Sequence, residues 1–148
     1  MVAFFRESSL FTAIICWFIA QVIKVISVIV TDKRVDFGRF IGAGGMPSSH
    51  AAFVTGLATA VGLNCGFSSE EFAISAVLAL VVMYDAAGVR RAAGEQAKIL
   101  NKIVSEWGEQ NYKNTEVRLK ELLGHTPKQV FAGAILGIAI AMIRYFGI

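Results

Sequence analysis

Residues 10–30, LFTAIICWFIAQVIKVISVIV, decide the fold class. Over this run of 21 residues the strongly polar side chains are Gln21 and Lys24, and a helix of about 20 predominantly apolar residues crosses the hydrocarbon core of a bilayer. The run is longer than the apolar part of a secretory signal and no small-x-small cleavage pattern precedes Thr31, so it reads as a membrane span. The composition agrees. Of 148 residues, 55% are hydrophobic and 17% charged, and the mean hydropathy is +0.61. An ordinary soluble domain carries about a quarter of charged residues, so that class is set aside.

Working outward, three more apolar segments follow at residues 50–66, 72–88 and 130–146. The expected fold class is therefore all-α: a single domain over residues 1–148, an integral membrane bundle of about four transmembrane helices plus an amphipathic helix. The second and fourth segments are rich in Gly and Ala, which lets helix backbones approach closely and suits a homodimer. Between the second and third, NCGFSSEE (64–71) offers Gly66 as a stop and Ser68 or Ser69 as the next N-cap. Cys16 and Cys65 both lie in apolar segments and read as packing residues, with no disulfide or metal framework.

The long polar region is 89–128. Its first half, VRRAAGEQAKILNKIVSEW (89–107), places Val89, Ala92, Ala93, Ile99, Ile103 and Trp107 at helical spacing with charge opposite. This predicts an amphipathic helix that lies on the membrane or packs on the bundle. Residues 111–115 interrupt it, and residues 116–123 read as a short helix ending at Gly124. With four spans, both termini and the 67–71 turn share one side. Eleven of the fourteen Lys and Arg residues then fall on the other (Lys33, Arg34, Arg39, Arg90, Arg91, Lys98, Lys102, Lys113, Arg118, Lys120 and Lys128). The positive-inside rule makes that basic side cytoplasmic and the termini external, in what is expected to be a bacterial plasma membrane. An anion-binding site would gather the same cations.

On the basic side three span ends carry polar clusters: GGMPSSH (44–50), YDAAGVRR (84–91) and GHTPKQ (124–129). Pro47, Ser48 and Ser49 are ordinary helix-start residues. The two histidines of the chain, His50 and His125, both stand at span entrances on this face. Two helix N-termini with flanking arginines suit a phosphate-like oxyanion. Two histidines at one phosphate suffice for covalent phosphoryl transfer, one attacking in its neutral form and one protonating the leaving oxygen. Asp85, at the end of an apolar span, is expected to pair with Arg90, Arg91 or a histidine. Gly44 and Gly45 read as loop residues that also permit close backbone approach to a phosphate. Lys24 either snorkels to the interface or points toward the basic side. A metal site from His50, His125 and Asp85 has no supporting ligand spacing, and neither a metal, another cofactor nor a nucleic acid is expected.

Pro47-Ser48-Ser49-His50 resembles the Pro-Ser-Gly-His signature of the type 2 phosphatidic acid phosphatase superfamily, which includes vanadium haloperoxidases. The fuller pattern GGMPSSHAAFVTGLATAVG, VVMYDAAGVRRAAGEQAKILN and LLGHTPKQVFAGAILG resembles its divergent branch of small membrane proteins over nearly the whole chain. The resemblance implies that His50 is the general acid, that Ser48 or Ser49 holds phosphate oxygens, and that His125 is the nucleophile of a phosphohistidine. The chain departs from the superfamily at three points. Gln129 stands where an aspartate orients the nucleophile, and it lacks the charge to stabilise an imidazolium. Position 119 is leucine where an arginine is expected, making Arg90 and Arg91 the substitutes. The lysine-to-Arg-Pro signature is absent as such, leaving Lys33 and Arg39, or Lys24, for its role.

Together these features predict a metal-independent membrane phosphatase acting on a lipid phosphate or isoprenoid diphosphate. The alternative is a catalytically degenerate membrane protein that binds anionic lipid head groups or a partner.

Overall fold

The computed structural model describes residues 8–32, 45–107 and 124–147. They form five helices: α1 (Ser9–Asp32), α2 (Ser49–Cys65), α3 (Glu70–Ala87), α4 (Val89–Trp107) and α5 (Pro127–Phe146). No strand occurs among the described residues, as the all-α expectation required. Lys33, Arg39, the 111–115 interruption and the 116–123 helix lie outside the described residues.

Small residues face inward and bulky apolar ones outward. In α1 the buried stripe is Ala13, Cys16, Ala20 and Lys24, while Ile14, Trp17 and Phe18 are exposed. In α5 it is Val130, Gly133, Gly137 and Ala141, while Phe131, Ile135, Ile138 and Met142 are exposed. Both stripes advance by three or four residues, the spacing of one helix face. A fold stabilised by water's exclusion of apolar surface has the opposite arrangement. Lipid is as apolar as leucine, so a membrane bundle gains by close backbone contact between small residues.

At the centre stands α2, whose Ala51, Ala52, Val54, Thr55, Gly56, Ala58, Ala60 and Gly62 are all buried. It packs against α1, α3 and α5. Gly133 and Gly137, a small-xxx-small pair on α5, rest on the α2 backbone: a methyl group at 133 would strike the Ser48 carbonyl, and one at 137 the Ala52 carbonyl and Thr55 Oγ1. Thr55 Oγ1 donates to the Ala51 carbonyl of its own helix at 2.7 Å and lies 3.2 Å from the Ala134 carbonyl across this seam. The glycines that suited a homodimer are thus used within the chain.

The two ends of the bundle are tied separately. At one, Arg144 Nε donates to Thr12 Oγ1 at 2.9 Å and Asn64 Nδ2 to Ser9 Oγ at 3.0 Å. The other end collects the C-terminal half of α1, the N-termini of α2 and α5, and the C-terminus of α3. The expected helix limits shift by a few residues, and Ser69, rather than Ser68, caps α3 by accepting from Phe72 N–H. Cys16 is fully buried as expected, but Cys65 is exposed at the α2 terminus rather than a buried packing residue.

Among the described residues, three helical stretches are long and apolar enough to cross a membrane: Ser9–Ser27, Glu70–Ile103 and Pro127–Phe146. The four-span expectation needs adjustment at two places. α2 has only 17 residues, about 26 Å at the helical rise. The expected 72–88 span is part of a longer helical stretch of 34 residues that runs on through α4.

Candidate phosphate-type site at the paired helix N-termini

Two helix starts are locked together at the basic end. Ser48 caps α2, its side chain accepting from Ala51 N–H at 3.3 Å. Thr126 caps α5, with Pro127 in the first position, where a missing N–H costs nothing. The Ser48 N–H donates to the Gln129 carbonyl at 3.0 Å, joining the first turn of one helix to the cap of the other. The His125 N–H donates to the Ala86 carbonyl at 3.1 Å, one of the α3 carbonyls left without an intrahelical partner at a C-terminus. Main-chain bonds therefore fix three elements around one point, and the free amides and positive dipole ends of α2 and α5 share a face.

The two histidines meet there. The His50 and His125 ring centroids are 6.1 Å apart, with planes at 60°. His50, in the first turn of α2, is exposed, whereas His125 is only 3% exposed. His125 Nδ1 lies 3.3 Å from Gln129 Oε1, and the same oxygen accepts from Thr126 N–H at 3.0 Å. Thr126 and Gln129 complete a capping box, since Gln129 N–H donates back to Thr126 Oγ1 at 3.4 Å. A backbone N–H can only donate, so the atom it meets is the amide oxygen and not the amide nitrogen. An amide oxygen can only accept, so Nδ1 carries the proton in its bond to Gln129. In the neutral ring, the lone pair is then on Nε2.

A buried cation lies alongside. Lys24 is 4% exposed, and its Nζ donates to Ser49 Oγ at 3.1 Å. Gly45, at φ +85°, passes over the lysine stem, with Cδ and Cγ each 3.6 Å from where a Cβ would be. The snorkelling alternative for Lys24 is replaced by an inward one, because the residue continues the buried stripe of α1.

The expected site residues thus divide. His50, His125, Lys24, Ser48, Ser49, Gly45 and Gln129 are brought to one end of the bundle. Asp85 is half-buried in the last turn of α3. Arg90 and Arg91 open α4 just past Gly88, and the Arg91 side chain is exposed. Among the described residues, no group of three or more His, Cys, Asp or Glu side chains is placed to hold a metal ion. Thr126 was missed at the sequence level, although Thr-x-x-Gln ahead of an apolar run is the capping-box pattern.

An all-helical bundle with apolar helices long enough to cross a membrane, and two histidines brought together at paired helix starts, defines a helical membrane protein. The profile of the Divergent PAP2 family matches residues 5–140, and the chain belongs to that family. It is 43% identical over 138 residues to the "Uncharacterized membrane protein YuiD" of Bacillus subtilis (strain 168), covering 86% of this chain and 87% of that protein. No solved structure matches.

Proposed function

We propose that the chain is a metal-independent membrane phosphatase that hydrolyses a lipid phosphate or isoprenoid diphosphate through a phosphohistidine on His125. The observation that carries this reading is the His50–His125 pair, 6.1 Å apart at two neighbouring helix N-termini. A nucleophile attacks from about 3–3.5 Å and an acid reaches an oxygen from about 2.6–3.2 Å. Both rings stand at one point of the bundle, and the exposed His50 side chain can turn outward and admit a phosphoryl group between them.

In the proposed sequence His125 Nε2 attacks phosphorus as the bond to the leaving oxygen breaks, and protonated His50 donates to that oxygen. Gln129 Oε1 keeps its bond to Nδ1–H throughout. Neutral His50 then takes a proton from water, whose oxygen attacks phosphorus while the P–N bond breaks. Phosphate leaves and His125 is regenerated. Lys24, together with Lys33, Arg39, Arg90 and Arg91, neutralises the transferred group, and the Ser48 and Ser49 hydroxyls donate to its oxygens. In the same reading α2 is the fourth span, the site faces the cytoplasm of a bacterial plasma membrane, and the termini are external.

A second reading, a binder of anionic lipid head groups without turnover, is favoured by the burial of His125 and by an amide at position 129 in place of a carboxylate. Phosphate release in detergent with EDTA present, from a panel containing phosphatidic acid and an isoprenoid diphosphate, separates the two. The phosphatase reading expects His125→Ala to be inactive and His50→Ala slower by about 10²–10⁴-fold. Vanadate protection against thermal unfolding with no turnover on any substrate supports the binder instead.

A further inference from the structure

Beyond Arg90 and Arg91 at its start, the amphipathic α4 has no place in that chemistry, and its surroundings point to a separate role. Glu70–Ile103 is a helical stretch of 34 residues, about 51 Å at 1.5 Å per residue, against a hydrocarbon core of about 30 Å. Tilts within the usual range of about 0–40° still leave part of it outside. Glu70 and Glu71 in the first turn are exposed carboxylates, costly in hydrocarbon, which holds the start of the stretch to one interface, so the excess falls on α4, at the end where the histidines lie. Between the two helices Gly88 departs from helical geometry, with φ −106° and ψ −80°.

Two opposite stripes run along α4. Arg91, Lys98 and Lys102, at i, i+7 and i+11, are exposed on one side, with Glu95 among them. Val89, Ile99, Leu100 and Ile103 on the other side are exposed at 59%, 59%, 48% and 40%. Within the chain α4 packs mainly against the end of α3, whose outer residues Ile74, Val77, Leu78 and Val81 are themselves exposed and apolar.

We infer that α4 is an interfacial helix. It lies in the head-group layer of the leaflet that the histidine pair faces, with the Val89–Ile103 stripe in the acyl boundary and the Arg91–Lys98–Lys102 stripe bound to anionic lipid phosphates. Three features select this occupant over a protein partner. The helix follows a candidate membrane span, the outer residues of that span are themselves exposed and apolar, and between residues 91 and 102 three exposed cations stand against one carboxylate, which suits an anionic head group. Lys98 and Lys102 of this surface take no part in the proposed turnover at His125, and Arg91 is shared with it.

The test uses the full chain with Cys65→Ser, reconstituted in vesicles, and a nitroxide placed singly at Lys98→Cys, Ile99→Cys, Lys102→Cys or Ile103→Cys. Fully buried Cys16 stays in place. The expected result is that labels at 99 and 103 are more accessible to oxygen than to a water-soluble nickel chelate, with the order reversed at 98 and 102. Nickel accessibility at 98 and 102 falls when phosphatidylglycerol is added to phosphatidylcholine vesicles, does not fall with inorganic phosphate, and loses its lipid dependence in Arg91→Glu. Nickel-accessible labels at all four positions would put α4 in water. Labels at 99 and 103 closed to both reagents, with broadening between copies, would put a second chain on the apolar stripe. Either result overturns the proposal, as does indifference to phosphatidylglycerol.

Discussion

The side-chain oxygen of Gln129 lies 3.3 Å from His125 Nδ1 and accepts the Thr126 N–H at 3.0 Å, so one amide both caps α5 and orients the buried histidine. Gln129→Leu removes both bonds. It is expected to cost about 0.5–2 kcal/mol, the range for a lost cap, and to release the ring from the Nδ1–H tautomer. Nitrogen NMR of labelled His125 reads the tautomer whether or not the protein turns over. Gln129→Glu keeps the capping box but sets a carboxylate against the ring, so His125 should bind its proton about ten- to a thousandfold more tightly. The neutral nucleophile is then lost at a higher pH than in the native chain, and the acid limb of any pH–rate profile moves upward. Equal limbs in both proteins would show that position 129 does not govern the ring.

Lys24 and Ser49 are expected to behave as a coupled pair. Ser49→Ala leaves the buried ammonium without the hydroxyl it bonds, a loss of about 1–3 kcal/mol. Lys24→Met keeps much of the side-chain volume, removes the buried charge and should change stability less. The double substitution should be milder than the sum of the two, by a coupling of about 0.5–3 kcal/mol. Thermal unfolding in detergent measures all three. Vanadate protection should disappear in both variants that lack the lysine, and its survival there would remove Lys24 from the anion site.

The α2–α5 seam should be the least tolerant part of the bundle. Gly133→Ala drives a methyl group into the Ser48 carbonyl, which is backbone and cannot rotate away. Overpacking of this kind costs about 1–3 kcal/mol and also displaces the N-cap that carries the site. Ile135→Ala, on the lipid-facing side of the same helix, should stay within about 0.5 kcal/mol. Denaturation midpoints of the two variants test this order.

How much of this was legible in the sequence depended on whether the cause was local. The helices of residues 9–32 and 127–146 follow from hydropathy and caps, and α4 from its period, because each signal lies within one segment. The direction of Lys24 was open, since a lone lysine in a span can turn either way. The small residues Ala13, Cys16 and Ala20, spaced on the same stripe, were the signal that it turns inward. Gln129 read as a missing aspartate because the resemblance directed attention to charge, whereas the local Thr-x-x-Gln pattern already placed it in a cap. The Ser48–Gln129 and His125–Ala86 bonds use main-chain atoms that every residue possesses, so no side-chain pattern announces them. The order of the spans along the chain still placed both histidines at one end of the bundle.

Sidedness is a separate prediction, from the eleven cations that the sequence assigns to one side of a four-span arrangement. An alkaline phosphatase reporter fused after Ile148 should be active, as in an external compartment, and one inserted between residues 107 and 124 should be inactive. The opposite pair of results would turn the site outward without altering its chemistry.

The central claim is that His125 carries a phosphoryl group in turnover, and its most direct measurement is mass spectrometry of the purified chain quenched during hydrolysis of a lipid phosphate. The phosphatase account predicts an acid-labile, base-stable phosphoryl group on His125, accumulating in His50→Ala when the leaving group needs no proton, and absent from His125→Ala. Phosphate release by His125→Ala at the native rate, with no such adduct in any variant, would contradict it.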